Sequence, residues 1–263
     1  MLLAKYRIKY VCTALAQTMI IMACAAKPIP MYTFYTPSHK VFVEEWFMPT
    51  LKEINDEGIT LVIKEYPQEC ASGKVFSSGW QDTMLRKVDI ICKAIQDNWG
   101  DVFIYSDIDV QFIRPFSKIA LKAIGDKDIV FQRDTPSGTV CAGFFVCKAN
   151  ERTFALWRGV RDYMISQKEC SDQKTVNRLL RKGEDKDRNP YNVIWDYLSS
   201  DFFGGGTFTG TGWSSGKQLF IPSSIVLHHA NWCSGNEKKI AQLEYVRKKV
   251  QTKKGLSSGK DKK

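Results

Sequence analysis

Val102-Phe103-Ile104-Tyr105-Ser106-Asp107-Ile108-Asp109 is the stretch on which the fold turns: an apolar run of Val, Ile, Phe and Tyr leads straight into two carboxylates spaced i and i+2. A run without polar alternation reads as a strand buried on both faces, as in a sheet covered by helices. The acids then lie at the strand's carboxyl end, where open α/β sheets bind ligands. A D-x-D placed there suits a divalent cation held by hard oxygen ligands beside a phosphate. Two solvated acids in an edge-strand turn would give the same three letters, so D-x-D alone does not separate these readings.

Upstream, Met84, Leu85, Val88, Ile91, Cys92 and Ile95 share one helix face, Ser78 and Gln81 have capping-box spacing, and Gly100 ends the helix. Arg86 and Lys87 are placed off that stripe. A helix feeding a buried strand argues for βαβ winding. Residues 29–36 read as the first strand, stopped by Pro37, with Ser38 and His39 in the loop at its carboxyl end. Residues 41–55 read as a helix that Pro49 must kink or split, followed by a second strand over 59–66. Downstream, strands are expected over 128–134 and 141–148, then helices capped by Asn150 and Ser171. A charged loop over 182–190, hairpin turns in the glycine-rich 203–216 and extended chain over 219–227 follow. His228-His229-Ala230-Asn231-Trp232 leads into a basic helix with Ile240, Leu243 and Val246 on one face. The expected fold is α/β: one Rossmann-like domain, 28–250, with a mixed, mainly parallel central sheet flanked by helices. An apolar segment, 1–27, precedes it and a basic, disordered tail, 251–263, follows.

The net charge of +10 resembles a nucleic-acid signal until it is located. Residues 245–263 carry +7 and residues 5–9 carry +3, leaving 10–244 formally neutral. A neutral body with basic ends is not a nucleic-acid-binding face, although such ends suit a membrane surface. The eight cysteines show no C-x-x-C and no framework spacing, so buried reduced thiols are expected. Residues 11–26 have the shape of a signal peptide or short anchor behind Lys5, Arg7 and Lys9, yet fall short of a comfortable span. No Asn-x-Ser/Thr sequon occurs, which leans against a eukaryotic lumen. A cytoplasmic or membrane-associated location and a secretory one both stay open.

The chain has three histidines, His39, His228 and His229. Adjacent strand residues point to opposite faces, so at most one of His228 and His229 can face the Asp pair. Tyr105-Ser106-Asp107-Ile108-Asp109, the Cys141-Ala142-Gly143-Phe144-Phe145 strand after Gln132-Arg133-Asp134, the Asp172-Gln173 pair and His229-Ala230-Asn231-Trp232-x-x-Gly235-x-x-x-Lys239 together resemble the nucleotide-diphospho-sugar transferase family of GT-A glycosyltransferases. The likeness runs in order over roughly 29–245, and its closing element is the most specific part. It implies a GT-A domain that moves a sugar, with retention, from a nucleotide-diphospho-sugar to a glycan or other hydroxyl acceptor, with Mn²⁺ or Mg²⁺ as cofactor. Asp107, Asp109 and His229 would form the metal set, Asp109 binding directly and Asp107 touching the ribose or a metal-bound water. Gly235 and Lys239 would face the diphosphate, Lys239 meeting the leaving-group charge, with Ser38, His39, Arg86 and Lys87 as weaker nucleotide-side candidates. Asp134, Asp172 and Gln173 would face the anomeric carbon or the acceptor hydroxyl, Asp172 nearest the reaction. Cys141 stands where related enzymes have Asn.

Two other functions use similar letters. A phosphohydrolase of the haloacid dehalogenase type wants Thr or Val two residues after the second Asp, where this chain has Gln111, and wants the element nearer the start. A non-catalytic sugar-nucleotide-binding or scaffold protein on the same fold would keep the binding residues without transfer.

Overall fold

The computed structural model describes residues 27–70, 77–169, 171–180, 189–206 and 212–258. The apolar residues 11–26, residues 182–188 of the charged loop, residues 207–211 of the glycine-rich run and the last five residues lie outside them.

The central sheet has six strands in the order β2-β1-β3-β6-β5-β7. They are β1 (Ile29–Tyr35), β2 (Ile59–Glu65), β3 (Val102–Ser106), β5 (Ile129–Arg133), β6 (Val140–Lys148) and β7 (Trp195–Tyr197). β1 pairs in parallel with β2 and β3, and β7 with β5; β6 runs antiparallel to both its neighbours, which makes the sheet mixed. β3 is buried on both faces. Phe103 and Tyr105 join the core formed with helices α3 (Trp80–Asp97) and α5 (Glu151–Gln167), while Ile104 joins the core on the other side with Phe42, Phe47 and Phe144. The unbroken apolar run is thus accounted for by two cores rather than one.

A second sheet, in the order β4-β9-β8, comprises β4 (Val110–Phe112), β8 (Phe202–Gly204) and β9 (Leu227–His229). β4 starts directly after Asp109, so Asp107-Ile108-Asp109 is the hand-over from one sheet to the other. α4 (Ser117–Ile124) follows, its first amides met by the Asp56 carboxylate at 2.6 and 2.8 Å.

Several local expectations change. The chain is helical from Lys40 to Ile54, through α1 (Lys40–Phe42), a π-helical turn (Val43–Phe47) and α2 (Met48–Ile54), so Pro49 neither splits nor ends it. A widened turn ahead of Pro49 absorbs its missing N–H and ring, and it turns both Trp46 and Phe47 inward. α3 lacks the Ser78–Gln81 capping box: Gly79, at φ +77°, precedes its first residue, and Gln81 instead donates to the Met164 and Glu169 carbonyls. Asn150 does form a capping box with Thr153, and the Ser171 hydroxyl accepts from the Lys174 amide ahead of α6 (Asp172–Leu180). Gly204 belongs to β8 and not to a hairpin, and of 219–227 only Leu227 is strand. The terminal helix α7 (Asn236–Ser258) runs past residue 250, where the domain was expected to end. Cys92, Cys141 and Cys147 are buried free thiols, Cys70 is buried as well, and Cys233 is half-buried. Among the described residues no helix is long and apolar enough to cross a membrane.

Candidate active site

The two sheets are joined where the acids stand. The Asp107 amide donates to the Gly143 carbonyl of β6 at 2.6 Å, and the Asp109 carbonyl accepts from the Ala230 amide beyond β9 at 2.9 Å. In the antiparallel register of β4 and β9, Val110 faces His229 and Gln111 faces His228. His229 is thereby turned to the acids and His228 away, into the core, as the alternation of a strand requires.

Asp107, Asp109 and His229 each offer a ligand atom, and these atoms lie within 4.8 Å of one another. The Gln132 amide nitrogen donates to the Phe202 carbonyl at 3.1 Å, which turns its oxygen to His229 Nδ1 at 2.9 Å. Nδ1 is therefore the donor, and Nε2 faces Asp109 Oδ1 at 3.3 Å. Burial opposes charge on His229, but the Asp109 carboxylate outweighs it and raises the imidazole pKa well above 6.5. Burial likewise opposes ionisation of Asp109, and Lys239 with His229 overcomes it, holding the carboxyl well below its usual range. Lys239 Nζ lies 2.5 Å from Asp109 Oδ2.

Asp107 has its own cation. Lys87 Nζ lies 2.9 Å from Asp107 Oδ1 and 3.0 Å from Asp172 Oδ2, and the Tyr105 hydroxyl donates to Asp107 at 3.1 Å. Burial alone would lower the pKa of Lys87; the two carboxylates raise it instead. Gly143 makes room for this crowding, since a Cβ there would lie 2.3 Å from His229 Cε1 and 2.7 Å from Asp107 Oδ2.

Asp134, at the end of β5, accepts from Gln173 at 3.0 Å, Asn231 at 3.1 Å and Trp232 at 3.0 Å. Burial raises its pKa in spite of these donors. Gln173 holds the β6 backbone as well, its oxygen accepting from the Ala142 amide at 3.2 Å. Trp232, at φ +58°, seats its indole where a Cβ on Gly206 would lie 1.9 Å away.

These groups open into one cavity of about 920 Å³, with Phe34, Tyr35 and His39 at one end and Trp80 and Trp213 elsewhere on its wall. A nucleoside diphosphate with a sugar fits the size range of such sites. Burial, then the nearby Lys239 charge, lowers the His39 pKa.

A family model for nucleotide-diphospho-sugar transferases matches residues 51–243. The chain belongs to that family. The transferase also shares its fold with solved glycosyltransferases. One, involved in the glycosylation of the major capsid of PBCV-1, aligns at a TM-score of 0.54 and 10% identity over 82% of this chain and 99% of that one. Another, the bifunctional glycosyltransferase WbbM, aligns at 0.50 and 10% identity over 81% of this chain and 47% of that one. At such identities the likeness is one of fold. No curated protein sequence matches the transferase.

Of the residues singled out in the sequence, Asp107, Asp109, Asp134, Asp172, Gln173, His229, Lys87, Lys239 and His39 all line the cavity of the transferase. Ser38, Arg86 and Gly235 do not: the Ser38 hydroxyl bonds His39 Nδ1 at 2.9 Å, Arg86 pairs with Glu69, and Gly235, at φ +86°, precedes α7. Lys87 corrects the sequence reading, being 3% exposed. Its place was legible, because it stands three residues after Met84 and four before Ile91, on the flank of the apolar stripe. Gly143, Gln132 and Tyr105 were missed as parts of the site, because their contribution is contact across strands and no local spacing reports it.

Proposed function

We propose that this transferase is a divalent-cation-dependent glycosyltransferase that moves a hexosyl or pentosyl group from a nucleotide-diphospho-sugar to a glycan or other hydroxyl acceptor, with retention at the anomeric carbon. The observation that carries the reading is the convergence of Asp107, Asp109 and His229 in the wall of a cavity that also holds Lys239, Asp172 and Gln173. The donor set fits a hard divalent ion: two carboxylates and an imidazole whose Nδ1 is already engaged by Gln132, leaving Nε2 to the site. Mn²⁺ or Mg²⁺ bound there would supply Lewis acidity to the diphosphate as it departs.

The remaining roles fall to the chain itself. Lys239 gives the diphosphate a point charge, exchanging Asp109 for phosphate oxygen. Lys87 holds Asp107 and Asp172 at fixed separation, so that the cation side and the reacting side of the cavity move as one body. Asp172 and Gln173, at the start of α6, orient the sugar and the incoming hydroxyl. His39, with Phe34 and Tyr35 beside the carboxyl end of β1, bounds the nucleoside end. Retention follows from the family resemblance.

Thermal melts of the full chain with UDP- and GDP-sugars, with and without Mn²⁺, test the reading. Mn²⁺-dependent stabilisation by one of them, followed by transfer whose first product is the same anomer as the donor by NMR, is expected. An inverted product would overturn retention, and stabilisation without transfer to any hydroxyl acceptor would favour a non-catalytic binder.

A further inference from the structure

His228 faces away from the metal-ligand cluster, yet it is not a passive core residue. We propose that His228 and Gln242 are positioning residues for the donor-diphosphate end of the cavity, acting through a buried one-way hydrogen-bond relay that fixes the loop 231–235 between His229 and Lys239; this rests on the donor reading above.

The direction of the relay is set by carbonyls at its two ends. A backbone carbonyl only accepts. The Leu243 carbonyl therefore turns the amide nitrogen of Gln111 toward itself, at 2.9 Å. That nitrogen also faces His228 Nδ1 at 3.0 Å, so Nδ1 accepts and the ring hydrogen sits on Nε2. Nε2 donates to Gln242 Oε1 at 3.1 Å. The Gln242 nitrogen is then turned to the loop, where it meets the Asn231 carbonyl at 3.3 Å and Cys233 Sγ at 3.0 Å. The Asn231 carbonyl can also only accept, so both ends demand the same polarity. Reversing Gln242 alone would set its nitrogen against the Nε2 donor and its oxygen against the Asn231 carbonyl.

Gln111, His228 and Gln242 are each 0% exposed. Apolar side chains would fill this core without a directional requirement, and the relay leaves Gln111 Oε1 with no hydrogen-bond partner among the described residues. What it grips is a loop with left-handed backbone at Trp232, φ +58°, a conformation that a non-glycine residue holds only where its surroundings fix it. Gln242 stands three residues after Lys239 in α7, so the side chain that grips the loop and the one that meets the diphosphate are neighbours on one helix. Gly205 leaves space for the grip, as a Cβ there would lie 2.6 Å from Gln242 Nε2.

Gln242→Glu tests this selectively, since a carboxylate still accepts from His228 but no longer donates to the loop. Hydrogen exchange of the full chain is expected to quicken by about tenfold over residues 231–242 with β1 and α5 unchanged, and UDP or GDP binding in the presence of Mn²⁺ to weaken by about tenfold. His228→Leu should reproduce both effects. Leu243→Ala, which damages the same core without touching a relay side chain, should lower Tm without the selective change in loop exchange. Should the Q242E chain not fold, Q242M takes its place. Unchanged loop exchange in the relay variants, or the same loop response in Leu243→Ala, overturns the proposal, as does unaltered nucleotide affinity. If the unmodified chain binds neither UDP nor GDP with Mn²⁺, the donor reading falls, and the exchange comparison alone decides the relay.

Discussion

Lys87 and Lys239 each close on one acid of Asp107-Ile108-Asp109, the first from α3 and the second from α7. The Lys87 side chain is 4% exposed and lies between two carboxylates, at 2.9 and 3.0 Å. The Lys239 side chain is 19% exposed and has one carboxylate, at 2.5 Å. The same pair of charges thus has two mechanical meanings. Lys87 cannot leave without stranding the buried Asp172 and taking the cation from the part-exposed Asp107, so it belongs to the frame. Lys239 has a single carboxylate partner and the more exposed side chain, which suits the exchange of Asp109 for a phosphate oxygen proposed above.

The largest expected effect breaks both pairs' common ground: Asp109→Ala removes a metal-set carboxylate together with the partner of Lys239, and Mn²⁺-dependent turnover should vanish in a donor-consumption assay. Lys87→Met should destabilise the fold by about 3–5 kcal/mol in urea unfolding, the cost of breaking a buried ion pair from one side. Lys239→Met should cost less stability than Lys87→Met, because His229 still faces Asp109, yet lower kcat by about one to three orders of magnitude with a smaller change in KM. The same variant should bind Mn²⁺ more tightly in the absence of nucleotide, read by electron paramagnetic resonance, because no ammonium competes for Asp109. Equal stability losses in the two lysine variants would erase the distinction.

Asp56 supplies the smallest effect and a reference carboxylate met by neutral donors alone. Burial opposes its ionisation, but the Ser117 hydroxyl and the Ser117, Phe116 and Gly58 amides outweigh it and lower its pKa. Asp56→Ala should cost about 1 kcal/mol at pH 7, as for a lost helix cap. With the folded pKa depressed, that contribution is present above the unfolded carboxylate value of about 3.9 and is lost as pH falls through the folded value. Unfolding curves at pH 7 and below pH 3 check the sign: the two chains should converge in acid.

The central sheet was legible because β3 needs apolar residues on both faces, and an unbroken Val-Phe-Ile-Tyr run has few other readings. The second sheet was not. β4, β8 and β9 are three residues each, too short for alternation to register, and β4 reaches β9 only across more than a hundred residues of chain. The Asp107, Asp109 and His229 cluster was legible as residue types in order: strand alternation allows only one of His228 and His229 to face the acids, and the family resemblance chose His229. Lys87 was placed off the apolar stripe together with Arg86, although one residue of rotation on a helix separates the half-buried Arg86 from the buried Lys87. The glycines at 205 and 206 spelled turns in sequence, whereas in the fold they leave room for Gln242 and Trp232.

Gly143 bears on how such a protein could change trade. It lies mid-strand in β6, with ordinary extended backbone, so alanine would suit the sheet as well as glycine or better. Only the 2.3 Å approach to His229 and the 2.7 Å approach to Asp107 forbid the methyl. A single-base change in the gene could therefore spoil the Asp107–His229 cluster while leaving secondary structure content, cysteine state and surface untouched. Descendants carrying it would be folded proteins freed from their chemistry, available as partners or decoys on an inherited scaffold.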